Sequence, residues 1–223
     1  MNLSMKNNIE LVIFDCDGVL LDSEIIACSA DAEALRKIGY DISTEQMAMR
    51  FAGVPDGAID AIIEIELGKS LPKHFRADIK RTVLEKYRTE LRSITGAHSL
   101  LSTLKTKKCV ASSAAPAKLA LGLVETDLYE LVYPYIFSAH LVAQGKPHPD
   151  IFEYAAKAMN VHTAQCLVLE DSVAGVTAAV AANMKCIGFT GGSHCQTGHA
   201  NRLQAAGAFQ VIDRLEQLMD FVQ

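Results

Sequence analysis

Two aspartates separated by one residue, Asp15 and Asp17, are the strongest candidates for chemistry in the sequence. They follow the short apolar run Leu11–Phe14, and Gly18 allows the chain to turn directly after them. If it turns there, both carboxylates can face one crevice. One of them can attack phosphorus as a nucleophile, while the other protonates a leaving alkoxide and later deprotonates water. Alternatively, the two aspartates serve only as turn and helix-cap residues.

A second acidic pair, Glu170 and Asp171, follows another apolar run that ends at Leu169. Adjacent carboxylates repel each other, so a bound cation is a natural reason for placing them together. Mg²⁺ prefers carboxylate, carbonyl and water oxygens as ligands. We therefore expect these acids to join Asp15 around Mg²⁺. The competing interpretation is that Asp171 merely caps the helix that begins near Ser172.

Three further polar residues can hold an anion. Ser112 and Ser113 follow a third apolar run and precede Pro116, so their hydroxyl and N–H groups can face a phosphate at a helix start, or simply cap that helix. Lys146 precedes Pro147, and proline restricts its own backbone and that of the residue before it. A lysine held in this way supplies a fixed counter-charge for a phosphoryl group and for a nucleophilic carboxylate. An ordinary surface lysine is the alternative.

The elements that must position these residues are short strands. Continuous apolar runs, rather than alternating ones, predict strands buried on both faces, as in a parallel sheet covered by helices. The fold class that follows is a doubly wound, Rossmann-like α/β fold, in which ligands bind beyond the carboxyl ends of the strands. The predicted strands cover residues 11–14, 109–111, 135–137, 166–169, 186–189 and 209–212.

The interval from Asp15 to Ser112 spans more than three times the length of one βαβ unit, which takes about 30 residues. Most of it has helix-like apolar spacing, and Asp22 with Ser23 is predicted to cap the first helix. We therefore predict an α-helical cap domain over residues 22–92, inserted into a mostly parallel core formed by residues 1–21 and 93–223. The helical stretches cover residues 23–39, 43–51, 56–68 and 73–95, with later ones at 200–206 and 213–222.

The composition of the 223 residues excludes several classes of protein. Half of the residues are hydrophobic, which excludes a disordered chain, and the net charge of −5 leaves no basic surplus for nucleic acid or an anionic membrane surface. Six scattered cysteines without a CxxC pair indicate free thiols, and no apolar run approaches the ~18 residues of a membrane span. We expect a cytoplasmic protein with a small-molecule ligand and no obligate protein partner.

The motifs in their order resemble those of the haloacid dehalogenase superfamily. They are DxDGVLxDS, a strand-end serine, Lys-Pro-x-Pro-Asp and Glu-Asp-Ser-x-x-Gly, and the resemblance covers about residues 9–21 and 93–190. That superfamily places an α-helical cap where the insertion is predicted here, and its chemistry implies a Mg²⁺-dependent aspartyl-phosphate mechanism. The resemblance implies Asp15 as nucleophile, Asp17 as general acid/base and donor of a backbone carbonyl to the metal, Ser112 and Lys146 as orienting groups, and Asp171 with Glu170 as the acidic metal site.

Within that superfamily, Asp17 favours phosphate esters, because members that remove halide from carbon have no aspartate at this position and a leaving halide needs no proton. The chain is most similar to sugar-phosphate phosphatases and beta-phosphoglucomutases, which have a cap loop like residues 50–54. Arg50 and Gly53 are therefore candidate substrate contacts, although a solvated helix face is the simpler interpretation of Arg50. Acidic Asp56 would oppose a second phosphate, so a phosphatase is preferred to a mutase. A phosphate-ester-binding non-enzyme and a carbon–halide hydrolase are less favoured.

One loop is not explained by these motifs. His194 and His199 flank Cys195 in a glycine-containing segment. Two imidazoles and one thiol are weak sequence evidence for a transition-metal site, which normally uses three or four ligands at regular spacing.

Overall fold

The computed structural model describes residues 9–51 and 54–222. Within them, six strands form one sheet in the order β3-β2-β1-β4-β5-β6, and every neighbouring pair is parallel. The predicted doubly wound parallel fold is confirmed. The strands are β1 Leu11–Phe14, β2 Lys107–Ser112, β3 Ile136–Ser138, β4 Cys166–Glu170, β5 Lys185–Phe189 and β6 Gln210–Ile212.

The central strand β1 explains why its apolar run is continuous. All four of its residues are fully buried, and they pack alternately into two hydrophobic clusters on opposite faces of the sheet. Val12 and Phe14 belong to the cluster that continues into the helices between β1 and β2, whereas Leu11 and Ile13 face the other layer. Truncating Phe14 to alanine would cost about 3–5 kcal/mol of stability.

The register of β1 sets the position of the site. Phe14 pairs with Val110 of β2 on one side and with Leu169 of β4 on the other. The residues that follow these strands therefore meet at one edge of the sheet, as expected for ligand-binding residues in a doubly wound fold.

Five helices lie between β1 and β2, and four of them occupy the stretches predicted to be helical. Five further α-helices cover the sheet, and three short 3₁₀ helices complete the described elements. The stretch predicted as a helix at residues 213–222 forms a 3₁₀ helix. The helices are α1 Glu24–Lys37, α2 Thr44–Phe51, α3 Asp56–Leu67, α4 Phe75–Glu90, α5 Ala97–Thr103, α6 Pro116–Glu125, α7 Tyr129–Val132, α8 Asp150–Ala158, α9 Val173–Ala181 and α10 His199–Ala205, and the 3₁₀ helices are Ala139–Leu141, Thr163–Gln165 and Leu215–Phe221.

The predicted capping of α1 by side chains is wrong. Ser23 occupies the N-cap position, but its side chain makes no capping hydrogen bond and donates instead to Asp17. The side chain of Asp22 accepts hydrogen bonds from the backbone N–H and the hydroxyl of Ser193. Both side chains therefore form hydrogen bonds with residues beyond the strand ends, not with the backbone of α1.

The chain enters and leaves the α1–α4 segment at neighbouring points. Leu21 forms an antiparallel bridge with Ser93, and the N–H of Asp22 donates to the carbonyl of Arg92 at 2.9 Å. This pairing supports our proposal that a cap unit of residues 22–92 is inserted into a core of residues 1–21 and 93–223. Among the residues that the structure describes, no helix is both long enough and apolar enough to cross a membrane.

Candidate active site

A cleft of about 820 Å³ opens at the carboxyl ends of β1, β2 and β4. The strand-end residues form one wall of the cleft, and α1, α2 and α3 form the opposite wall. Candidate residues from the sequence that line it are Asp15, Asp17, Arg50, Ser112, Ser113, Lys146, Glu170 and Asp171. Residue 53, the remaining candidate, lies outside the described residues.

Lys146 is held between two carboxylates at the centre of the strand-end wall. Its ammonium group donates to Oδ1 of Asp15, to Oε1 of Glu170 at 2.6 Å and to the carbonyl of Ala111 at 3.1 Å. Only 3% of its side chain is exposed, so the alternative of an ordinary surface lysine is wrong. Burial alone would lower the pKa of Lys146, but Asp15 and Glu170 together raise it, and the group stays positively charged.

Asp15 lies among more negative charge than one lysine can balance. Burial raises its pKa well above the ordinary value, Lys146 opposes this, and the carboxylates of Glu170 and Asp171 raise it further. A nucleophilic carboxylate has to be ionised, so this site favours an additional cation. The raised pKa of Asp15 is therefore a physical reason for a metal ion here.

The donor set fits Mg²⁺, a hard cation that takes carboxylate oxygens. Gly18 leaves room at this point: a Cβ there would lie 1.9 Å from Oδ2 of Asp171, and the residue has a φ of +79°. Asp15 and Asp171 both line the cleft. The Glu170 carboxylate is occupied differently, since Oε1 accepts from Lys146 and Oε2 accepts from the backbone and hydroxyl of Ser172.

Asp17 is surrounded by donors. Its Oδ1 accepts hydrogen bonds from Ser23 at 2.6 Å and from Tyr87 at 3.0 Å, and the ammonium group of Lys118 lies 3.1 Å away. Burial would raise the pKa of Asp17, but Lys118 and these hydrogen bonds outweigh it, and the pKa lies below the ordinary value. Asp17 is thus a carboxylate before substrate binds. A bound phosphoryl group would bring negative charge and raise this pKa.

The two serines after β2 do not cap α6. The N-cap of that helix is Ala115, followed by Pro116, and it has no side-chain cap. The Ser112 hydroxyl is buried and accepts from the N–H of Ala114, while Ser113 is exposed in the cleft. The capping interpretation of both serines is wrong.

The capping interpretation of Asp171 is also wrong. Ser172 occupies the N-cap of α9, and its hydroxyl accepts from the N–H of Gly175. Oδ2 of Asp171 lies 2.9 Å from Nε2 of His194 instead.

Arg50 is half-exposed on the cap wall, and neighbouring side chains already hold its guanidinium group. It donates to the Tyr40 hydroxyl at 2.7 Å and to Glu66 at 2.6 Å. On the same wall, Glu24 begins α1 and lines the cleft. Burial, with help from the charges of Asp17 and Asp171, raises the pKa of Glu24 to about 7.

Three contacts of this site were not predicted as such: Lys118 and Tyr87 were not singled out, and His194 was considered only as part of a weak transition-metal cluster with Cys195 and His199. Lys118 is in the first turn of α6, Tyr87 is in α4, and His194 is in the loop after β5. A lone lysine or tyrosine in these positions has no motif around it. Only the approach of α4 and α6, and of the loop after β5, to the strand ends gives these residues a role.

Comparisons with known proteins agree with the motifs. A family model described as haloacid dehalogenase-like hydrolase matches residues 9–183. The chain is 33% identical over 193 residues to 6-phosphogluconate phosphatase of Escherichia coli (strain K12), covering 84% of this chain and 86% of the relative. It is 28% identical over 193 residues to hexitol phosphatase B of the same strain, covering 83% and 85%.

The fold has a similar counterpart among solved structures. A conserved haloacid dehalogenase-like protein of unknown function from Agrobacterium tumefaciens str. C58 superposes with a TM-score of 0.90 at 38% sequence identity. The match covers 96% of this chain and 97% of that one. The chain therefore belongs to the haloacid dehalogenase-like hydrolase family.

Proposed function

We propose that the chain is a Mg²⁺-dependent phosphomonoester hydrolase that acts on a small phosphorylated metabolite, a sugar phosphate or a related compound, through an aspartyl-phosphate on Asp15. The observation that carries this proposal is the meeting of Asp15, Asp17 and Lys146 in one cleft at the ends of the central strands. A buried carboxylate oriented by a lysine, with a second carboxylate two residues on, suits transfer of a phosphoryl group in two displacements.

In the first displacement, a carboxylate oxygen of Asp15 attacks phosphorus. The new bond joins that oxygen to phosphorus, the bond between phosphorus and the ester oxygen breaks, and Asp17 gives its proton to the departing alkoxide. In the second, water attacks the phosphorus of the aspartyl-phosphate while Asp17 takes a proton from it. Asp15 is released as a carboxylate and inorganic phosphate leaves.

The donors around Asp17 support both halves of this cycle. Lys118, Ser23 and Tyr87 favour the carboxylate form, which is the form needed to take a proton from water. The acid form requires the pKa of Asp17 to rise when a phosphoryl group arrives. The negative charge of that group competes with Asp17 for the ammonium group of Lys118. Asp17 is then less stabilised as a carboxylate, and its pKa rises.

The remaining site residues orient the phosphoryl group. Lys146 faces Asp15 and can contact a phosphoryl oxygen, and Ser112 and Ser113 line the same wall. Asp15, Asp171 and the backbone carbonyl of Asp17 would hold Mg²⁺. When bound, Mg²⁺ supplies positive charge that offsets the repulsion between the phosphoryl oxygens and the nucleophile. Glu170 orients Lys146.

The cap wall supports a leaving group rich in hydroxyls. Glu24, Asp31 and Asp56 line it, and their carboxylates can accept hydrogen bonds from sugar or polyol hydroxyls. Arg76 already binds Asp31 and Asp60, so its charge is largely satisfied within the cap. The two curated relatives, a 6-phosphogluconate phosphatase and a hexitol phosphatase, support the same class of phosphorylated polyhydroxy compound.

A hydrolysis screen tests the proposal. Phosphate release is measured across phosphorylated sugars, polyols and glycolate, with Mg²⁺ and after its removal by EDTA, for the wild type and Asp15→Asn. We expect release with Mg²⁺ only and none from the folded Asp15→Asn variant. Full activity of that variant, or undiminished turnover after metal removal, would overturn the proposal. A mutase would instead convert a sugar 1-phosphate into its isomer when primed with a bisphosphate, which NMR detects.

A further inference from the structure

The loop after β5 and the start of α10 bring together three side chains that bind soft metal ions. Ligand atoms of His194, Cys195 and His199 all lie within 4.8 Å of one another, and Sγ of Cys195 is 3.4 Å from Nε2 of His194. The same Nε2 is 2.9 Å from Oδ2 of Asp171. Two imidazoles and a thiol thus cluster beside the proposed phosphatase site, and the carboxylate of Asp171 contacts one of the imidazoles.

We propose that His194, Cys195 and His199 form a second metal site, for Zn²⁺ or a similar borderline-soft divalent ion, with Asp171 as the carboxylate that separates it from the Mg²⁺ site. Zinc binds cysteine sulfur at about 2.3 Å and histidine nitrogen at about 2.0–2.1 Å, usually with four ligands in a tetrahedron. Neighbouring donors in such a tetrahedron are roughly 3.3–3.6 Å apart. The distance of 3.4 Å between Sγ of Cys195 and Nε2 of His194 falls in this range.

The choice of ion follows from the donors. Thiolate and imidazole favour Zn²⁺ over Mg²⁺, which takes oxygen ligands. Among the six free cysteines, Cys195 is the one that is only partly buried, and it is the one beside two imidazoles.

His194 is hard to explain as a packing residue. It is 3% exposed, and its Nδ1 is buried without a hydrogen-bond partner among the described residues. An apolar side chain would fill the same space without an unsatisfied polar atom, but it would lose the contact with Asp171. The contact of Nε2 with Asp171 gives a reason for a histidine at this position, and the same nitrogen faces Cys195 as the candidate ligand atom.

His199 has to exchange one contact to bind a metal. Its Nε2 lies 2.6 Å from the carbonyl of Asp171 and its Nδ1 lies 2.9 Å from the guanidinium of Arg202. Arg202 is exposed and Asp171 is buried, so the bond to Arg202 is the cheaper one to lose.

Occupation of this second site would affect catalysis through Asp171. If its carboxylate turns toward Zn²⁺, the Mg²⁺ site loses a ligand, and phosphatase activity falls. This consequence rests on the proposed function, whereas metal binding itself does not.

Cobalt spectroscopy tests binding without using activity. The full chain is stripped with EDTA and titrated with Co²⁺, which gives a thiolate-to-cobalt charge-transfer band only when a cysteine sulfur is a ligand. We expect one equivalent of Co²⁺ to produce this band, Zn²⁺ to abolish it and Cys195→Ser to lack it. The control His98→Gln, at an exposed position of α5 outside the cluster, should keep it. Absence of the band in the wild type, or its persistence in Cys195→Ser, would overturn the site.

Inhibition tests the link to Asp171. Zn²⁺ is added to enzyme supplied with saturating Mg²⁺. With each protein compared with its own rate in the absence of Zn²⁺, we expect Cys195→Ser to need at least about tenfold more Zn²⁺ for half-inhibition than the wild type. Equal Zn²⁺ sensitivity of the two proteins would contradict the shared-carboxylate part of the proposal. An inactive wild type that still shows the cobalt band would refute the proposed function and leave the metal site standing.

Discussion

The ammonium group of Lys118 lies 3.1 Å from Oδ1 of Asp17, and it joins the first turn of α6 to the loop after β1. Tyr87 of α4 donates to the same carboxylate oxygen at 3.0 Å. The general acid/base candidate is thus contacted both by the sheet-covering layer and by a helix of the proposed cap. The protonation state of Asp17 depends on how these helices pack.

Removing the lysine charge should shift the pH profile of the first chemical step. Lys118 lowers the pKa of Asp17, so Lys118→Met raises it, and the proton-donating form of Asp17 persists to higher pH. We expect the alkaline limb of kcat/KM for an alkyl phosphate to move to higher pH. An exposed variant, Lys80→Met, serves as control. A profile of Lys118→Met that coincides with the wild-type profile would show that Lys118 does not act on the catalytic proton.

The role of Asp17 as an acid depends on the leaving group. Asp17→Asn should lower kcat/KM by about 10²–10⁴ for an alkyl phosphate, because the departing alkoxide needs a proton. A nitrophenolate is stable without one, so kcat/KM for nitrophenyl phosphate should fall far less. Steady-state rates for both substrates give the comparison. Equal losses would assign Asp17 to binding or folding instead.

Glu24 should make the metal-free protein less stable as pH rises. Its pKa is about 7 in the folded chain against an ordinary 4.5, because of burial in the cleft. Between these values the folded state holds more protons than the unfolded state, so the free energy of unfolding falls as pH increases through this window. Because glutamine cannot ionise, the free energy of unfolding of Glu24→Gln should not show this decrease.

Urea unfolding of EDTA-treated protein at about pH 5 and about pH 8 measures the effect. We expect Glu24→Gln to gain stability relative to the wild type on going to the higher pH, and the exposed Glu45→Gln to show no such gain. A constant difference between Glu24→Gln and the wild type at both pH values would contradict the raised pKa.

Gly175 makes room for the residue that orients Lys146. A Cβ at this position would lie 1.7 Å from Oε1 of Glu170, so Gly175→Ala has to push that carboxylate away from Lys146. We expect a loss of about 1–3 kcal/mol of stability from overpacking and at least about a tenfold lower kcat. Gly57→Ala in α3 meets no atom within 4 Å and should be neutral or slightly stabilising. Wild-type kcat in Gly175→Ala would show that Glu170 does not position Lys146.

The strand-end part of the site was predictable because local sequence determines it. Asp15, Asp17, Glu170 and Asp171 each follow a continuous apolar run, and the parallel register brings the ends of those runs to one edge. The sequence also indicates the insertion, because the first two strands are too far apart for one βαβ unit.

The contacts made by the helices were not predictable in the same way. The packing of α6, α4 and the loop after β5 brings three side chains to the site, namely those of Lys118, Tyr87 and His194. No local sequence pattern predicts that packing. The capping role predicted for Ser23 was wrong for a related reason. Serine caps many helices, but here the hydroxyl is closer to the carboxylate of Asp17 and donates to it.

Rapid quenching of a single turnover tests the central claim most directly. Enzyme in excess is mixed with Mg²⁺ and a phosphate ester, stopped in acid, digested and analysed by mass spectrometry. We predict a transient phosphoryl group on Asp15 that is released by hydroxylamine, as acyl phosphates are, and that Asp15→Asn lacks. Complete turnover with no phosphoryl group on Asp15 at any time, or a stable phosphoryl group on Ser112 instead, would contradict the account.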